Sequence, residues 1–460
     1  MARRKPRYLA RLLLIVIPAG LIFLGVASFR SGPAAMIEIR PSLPGIGKRT
    51  PVAISIDEPV RGLSRVRVEV VQGDKVEVLE ERAYTPRAPW QFWGPRIPRE
   101  DMVVDVGSET VQGLDEGEAT IRVVADRAGA WLRRLEPAAE ELTLSVKLRP
   151  PSLQIQSLHT YVKQGGSEAV VYRVGETSVK DGIRAGEWWF PGYPLPGGGA
   201  RDRFALFSMP YDMAEASGIV LVAVDDVGNE ATANFIDRAT PRTLRTDTIR
   251  LSDSFMQRVV PAILDQTPSI EDKGDLLQNY LNINGNLRRA NADELTRLSE
   301  ASPPEFRWTK KFVPMRNGQV MSNFADRRTY TYNGSAVDQQ DHLGFDLAST
   351  SRAEIQAAND GVVVLARYFG IYGNCVVIDH GYGLLSLYGH LSSISVEEGQ
   401  TVERYATVGR SGVTGLAGGD HLHFTMLLRG LAVNPQEWWD AHWIHDRIVL
   451  KLGDALPFEQ

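Results

Sequence analysis

The chain has 460 residues, 43% of them hydrophobic and 23% charged, which is ordinary globular composition and excludes a largely disordered protein. Its formal net charge is -5, so no electrostatic case exists for a nucleic-acid partner. The single cysteine, Cys375, excludes an internal disulfide framework and any multi-cysteine zinc site. At this length two to four folded units are expected.

Arg3, Arg4, Lys5, Arg7 and Arg11 precede any acidic residue, and residues 12–29 then carry no charge. As a helix, 18 residues reach about 27 Å, close to the thickness of a bilayer's hydrocarbon core. Pro18 and Gly20 are tolerated in such helices. The segment is expected to be a single-pass transmembrane anchor. The basic tail, 1–11, then stays cytoplasmic and the bulk of the chain lies on the periplasmic or extracytoplasmic side of the cell membrane. A signal peptide cleaved near Val26-Ala27-Ser28 and a buried soluble helix are the alternatives.

Residues 36–149 read as short strands and turns. Val66, Val68 and Val70 alternate with charged residues, and Leu142, Leu144, Val146 and Leu148 alternate with Thr143, Ser145 and Lys147. This period of two predicts half-buried antiparallel strands in a β-sandwich. Arg149-Pro150-Pro151-Ser152 reads as a linker. A second β-rich unit covers 153–240; its strand from Ile219 to Val224 and the turn Asp225-Asp226-Val227-Gly228-Asn229 resemble the last hairpin of bacterial immunoglobulin-like modules. Over 251–300 the period changes: Ser252 and Asp253 are cap candidates, and Leu276, Leu277, Tyr280, Leu281, Leu287, Leu295 and Leu298 recur at helical spacing. A short helical linker is expected there. The predicted fold class is therefore mostly β and multidomain, ending in an antiparallel β domain over 308–450.

Seven of the 8 histidines fall between His342 and His445. Asp341-His342-Leu343-Gly344-Phe345-Asp346 places an imidazole four residues before a carboxylate. Leu387-Tyr388-Gly389-His390-Leu391 puts a histidine at a strand end. Residues 421–426 read as a strand in which His421 and His423 face one side while Leu422 and Phe424 face the other. Such a pair could be a buried polar pair, a metal pair, or one ligand beside one acid–base group. Imidazole and carboxylate together suit zinc, with three protein ligands leaving a fourth position for water. Each motif alone is weak; their joint order is not.

Together these motifs resemble the lysostaphin/LytM-type zinc endopeptidases of bacterial cell walls, whose pattern is His-x-Gly-x-Asp, Tyr-x-His-Leu and His-Leu-His. Ala357-Ala358-Asn359-Asp360-Gly361, Tyr372-Gly373-Asn374 and Val433-Asn434-Pro435 support the resemblance. Asp420 and Thr425 depart from residues frequent in that family, leaving substrate choice open rather than activity. The resemblance implies one Zn2+ held by His342, Asp346 and His423, catalytic roles for His390 and His421, and peptidoglycan as substrate. It also implies hydrolysis of cross-links or stem peptides, with a non-hydrolytic activator of other wall hydrolases, or cleavage of a protein substrate, as alternatives. The β-rich units are expected to act as spacers, to bind envelope proteins, or to cover the groove. His380 is expected in a turn, His442 and His445 on a packed or surface-seated helix over 437–449, and Cys375 in the core. Arg327, Arg328, Tyr330, Tyr332 and Tyr388 are candidates for a groove or for ordinary surface and core positions.

Overall fold

The computed structural model describes residues 7–459 except Phe92 and Leu132. Arg3, Arg4 and Lys5 of the basic tail lie outside the described residues. The chain forms two compact units: one runs to Pro151 and takes in Thr177–Val179 and Val224–Glu230, and the other holds the remainder.

The first unit opens with the helix Arg7–Phe29. Its stretch Leu12–Phe29 has mean hydropathy 2.6 and is exposed almost throughout, so it is long and apolar enough to cross a membrane. Two antiparallel sheets follow. One orders Met36–Pro41, Thr50–Asp57 and Arg99–Val106; the other orders Lys75–Ala83, Leu63–Gln72, Gly117–Arg127 and Ala138–Val146. The alternation predicted from sequence appears as burial: Val66, Val68 and Val70 share one core with Val52, Ile54, Ile56, Ile121 and Val123.

Two four-stranded sheets cover Leu153–Ala233, a stretch that belongs to the second unit apart from Thr177–Val179 and Val224–Glu230. One contains Ser167–Val174 and Asp202–Ser208 and the other Ser178–Ala185 and Ile219–Asp225. Their phenylalanines join the hydrophobic core of the C-terminal β domain: the rings of Phe204 and Phe306 lie 5.8 Å apart, and those of Phe306 and Tyr382 4.5 Å.

Helix Asp253–Gln266 begins where the sequence places its cap, with Ser252 Oγ accepting from Phe255 N–H at 3.2 Å. Helix Leu276–Asn282 is capped by Asp275 and runs through a wide turn, Ile283–Leu287, into Arg288–Glu300. The buried face of this stretch, including Met256, Val260, Tyr280 and Ile283, packs on Tyr330 and Ile371. The strand Thr246–Arg250 just before it pairs in parallel with Asp326–Tyr332.

The C-terminal domain is built on an eight-stranded sheet whose pairs are all antiparallel. Its central strands, Phe345–Ala348, Leu422–Leu428 and Leu384–Leu391, lie side by side. Leu422–Leu428 and Leu384–Leu391 are buried on both faces, as the apolar runs around the histidines require.

Candidate functional site

Strand register assembles the site. Asp346 pairs with His423 across one ladder, and His423 pairs with Gly389 across the next. Directly opposed residues project to the same face with Cβ atoms about 5 Å apart. The carboxylate and the second imidazole of His-Leu-His therefore meet without any loop holding them. His342 arrives from the end of Ser335–His342, and its four-residue offset from Asp346 spans the crossing between two strands.

Three atoms then converge. His342 Nε2 lies 2.9 Å from Asp346 Oδ1 and 3.1 Å from His423 Nδ1, which is itself 3.0 Å from Asp346 Oδ1. The outer hydrogen bonds fix both tautomers. His342 Nδ1 faces the carbonyl oxygen of Asn323 at 3.0 Å; a carbonyl only accepts, so Nδ1 carries the proton and Nε2 presents its lone pair. Thr425 Oγ1 spends its hydrogen on the Leu343 carbonyl at 2.8 Å and so accepts from His423 Nε2–H at 3.0 Å, which turns the lone pair of Nδ1 inward. Two imidazole lone pairs and a carboxylate oxygen thus point at one centre, the donor set of a divalent metal site with a position left for water. Among the described residues, His342, Asp346 and His423 are the one such group.

Gly344 explains the inner position of His-x-Gly-x-Asp. A Cβ there would lie 2.6 Å from Thr425 Oγ1 and 2.7 Å from His423 Nε2, displacing the bond that sets the tautomer.

His390 and His421 stand beside this centre, their rings 4.8 Å apart and that of His390 5.7 Å from His423. Each donates Nδ1–H to a backbone carbonyl, His390 to Thr414 and His421 to Gly419, both at 2.8 Å. Both therefore offer Nε2 to the site. His390 has a φ of 63°, a strained value for a non-glycine residue, which marks the strand end as held in place by its surroundings.

The electrostatics separate the groups. Burial favours a neutral Asp346, but the imidazoles of His342, His421 and His423 outweigh it and hold the carboxyl well below the usual range. Arg328 adds a hydrogen bond to Asp346 Oδ2 at 2.7 Å. Burial, with the neighbouring imidazoles, pushes His390 well below the ordinary histidine value. Burial pushes His423 down to about 4. Burial also acts to lower His421, yet the Asp346 carboxylate, 3.4 Å away, prevails and raises it.

The five residues singled out from sequence are thus brought together, and they line an open cavity of about 490 Å3. Arg328 and Tyr330 line it too. Arg327 instead pairs with Asp341, Tyr332 donates to Asp253, and Tyr388 is a core residue whose hydroxyl accepts from Ala358 N–H. His380 is buried between the Asp360 carbonyl and Ser386 Oγ. His442 is exposed and His445 half-buried, on short helical turns that follow a break at Asp440 rather than on one continuous helix. Cys375 is fully buried, and burial pushes its thiol up. Thr425 as a tautomer-setting partner, and Tyr372, whose ring lies 5.5 Å from His423, were not legible as site residues.

Residues 340–435 match the family model described as Peptidase family M23. A 172-residue stretch is 34% identical to the peptidoglycan DD-endopeptidase ShyA of Vibrio cholerae, covering 37% of each chain. A 94-residue stretch is 39% identical to the DD-carboxypeptidase/endopeptidase Mpg of Neisseria meningitidis, covering 20% of this chain and 22% of that one. The chain thus matches less than half the length of these relatives. Among solved structures, the catalytic domain of lysostaphin from Staphylococcus simulans aligns at 24% identity over 27% of this chain and 92% of its own, with a TM-score of 0.23.

Proposed function

We propose, from the premise that residues 340–435 are a peptidase family M23 domain, that this chain is a membrane-anchored zinc endopeptidase cutting peptide cross-links or stem peptides of peptidoglycan. The observation that carries the reading is the convergence of three lone-pair donors on one open centre with two further imidazoles beside it. Relatives named as peptidoglycan DD-endopeptidases support the choice of substrate. His342, Asp346 and His423 would hold the ion. Bound there, zinc supplies Lewis acidity toward a carbonyl and lowers the pKa of a water toward neutrality.

The chain's own residues supply the rest. Arg328 and Thr425 keep Asp346 and His423 oriented from outside. His390 and His421 present Nε2 atoms that take a proton from the attacking water and return one to the leaving amine. In the protonated form either can also donate to the developing oxyanion.

The exposed apolar helix Leu12–Phe29 fits an anchor, and the basic residues before it fit an orientation with the catalytic domain outside the cytoplasm. The stretches 36–149 and 153–240, read as immunoglobulin-like units, would serve as spacers or docking sites for envelope proteins. Purified sacculi incubated with the detergent-solubilised protein test the reading by mass spectrometry of the released material. Cut peptide bridges with intact glycan strands are expected; release of glycan fragments alone, or of nothing, refutes it.

A further inference from the structure

The cavity before His342, Asp346 and His423 has a second wall that comes from outside the M23 match, made by Ile249, Arg250, Phe255, Tyr280, Asn284 and Arg288. Two of these six are arginines. Arg288 donates from Nε and Nη2 to the backbone carbonyl and Oδ1 of Asn284, at 3.1 and 2.6 Å. Asn284 is fully buried and donates in turn to Asp338 at 2.7 Å. The guanidinium is thereby aimed by neutral acceptors, and among the described residues no carboxylate lies within ion-pair distance of it. Arg250 ends the strand Thr246–Arg250, is exposed, and has no carboxylate within ion-pair distance among the described residues.

The cavity carries two carboxylates, Asp346 and Asp420, against three arginines, Arg250, Arg288 and Arg328. Asp346 is held by Arg328, and Asp420 accepts from Ser411 Oγ at 2.6 Å and Arg352 N–H at 3.0 Å. A surplus of positive charge therefore lines the same cavity as the metal-type centre. Guanidinium groups match carboxylates in geometry as well as charge.

We propose that Arg250 and Arg288 form a carboxylate-binding subsite. A peptide lying in the groove with its scissile carbonyl at the triad would place a free carboxylate, terminal or on a side chain, against this wall. The inference rests on the hydrolase reading and names its substrate class: peptide strands bearing free carboxylates beside the cut bond.

Two synthetic cross-linked peptides test it, identical except that the flanking carboxylates are free in one and amidated in the other. The wild-type enzyme is expected to favour the free form in kcat/KM by about ten- to hundredfold. In the double variant Arg250→Ala, Arg288→Ala that ratio falls toward one, and Arg250→Lys, Arg288→Lys, which keeps the charge, restores part of it. Equal rates on both peptides by the wild type, or a preference surviving in the alanine variant, would overturn the subsite while leaving the hydrolase standing. Failure of the wild type on both peptides removes the hydrolase reading itself.

A separate observation concerns the first unit. Trp131 N–H donates to the Ser28 carbonyl at 3.2 Å, Ser28 Oγ donates to the Trp90 carbonyl at 2.9 Å, and the rings of Phe29 and Trp131 lie 5.6 Å apart. Two loops are thus tied to the last turn of the apolar helix. They expose Trp90, Trp93 and Trp131 together with Arg96, Arg133 and Arg134. Tryptophan beside basic residues at the end of a spanning helix is the composition of a membrane–water interface. We infer that these loops seat the first unit in the headgroup layer around the helix end. In vesicles, lipids brominated near the headgroup are expected to quench part of the protein's tryptophan fluorescence, and the variant Trp90→Phe, Trp93→Phe, Trp131→Phe to lose that part. Equal quenching of both proteins, after flotation has shown both in the membrane, would overturn the inference.

Discussion

At the scale of single residues, the centre depends on which nitrogen of each imidazole carries its proton. His423 to Ala removes one of three converging donors, and the purified protein is expected to lose bound zinc, measured as metal per chain. Thr425→Val keeps the shape but takes away the acceptor for His423 Nε2–H. Zinc affinity should fall about 10- to 100-fold, as for other outer partners of metal-bound histidines; unchanged affinity would show that the tautomer is set elsewhere. His390→Ala leaves the triad intact, so metal content should persist while turnover falls about 10²- to 10⁴-fold. That His421 and His423 share a side was legible because strand periodicity is simple, residues two apart facing the same way; the grouping of His342 and Asp346 with His423 was suggested by the motif resemblance rather than by periodicity. Thr425 was not legible, because its role depends on Leu343 drawing away its hydrogen, a contact 82 residues distant in sequence. Arg250 and Arg288 were hidden for a similar reason, since only folding sets them opposite the histidines.

Among elements, the short helix Pro435–Trp439 shows how the second unit is closed. Glu437 is buried and accepts from Ser167 N–H at 2.7 Å, joining this helix to the strand Ser167–Val174. Gly166 has no side chain because a Cβ would lie 2.4 Å from Glu437 Oε1. Burial pushes Glu437 up to about 8 and nearby Glu168 up to about 7. Both folded values exceed the ordinary 4.5, so between these limits the native state holds protons that the unfolded chain has released. Their contribution to stability is complete below about pH 4.5 and is lost as the pH climbs toward 8. Denaturant midpoints taken from pH 5 to 8 should therefore decline, and Glu437→Gln, neutral at every pH, should flatten the decline; an unchanged slope would assign it to other groups. Elements themselves were read well where local chemistry decides. The Ser252 cap lies where its spacing indicated, whereas Asp440 divides the expected helix over 437–449 because its side chain caps a new turn at His442 N–H.

For the whole molecule, mostly β architecture with an N-terminal apolar helix followed from periodicity and composition. What the helical stretch 251–300 packs against did not, because its partners Tyr330 and Ile371 lie far along the chain. That packing predicts how the protein can be cut. A fragment over 308–460 would bare Tyr330, Ile371 and Tyr382, the last by losing Phe204 and Phe306, and should aggregate on size-exclusion chromatography. A fragment over 152–460 retains both cores and should elute as a compact species. The opposite pattern would mean that the helices lend the catalytic domain little.

On the proposed reading, His342, Asp346 and His423 hold a metal ion on which cleavage of peptidoglycan depends. This dependence is tested most directly by the rate at which the solubilised protein releases peptide fragments from purified sacculi before chelation, after chelation, and after zinc is returned. The rate is expected to collapse on chelation and to recover with zinc in the wild type, but not in the His423 to Ala variant. Release that continues undiminished from protein shown to be free of metal would contradict it.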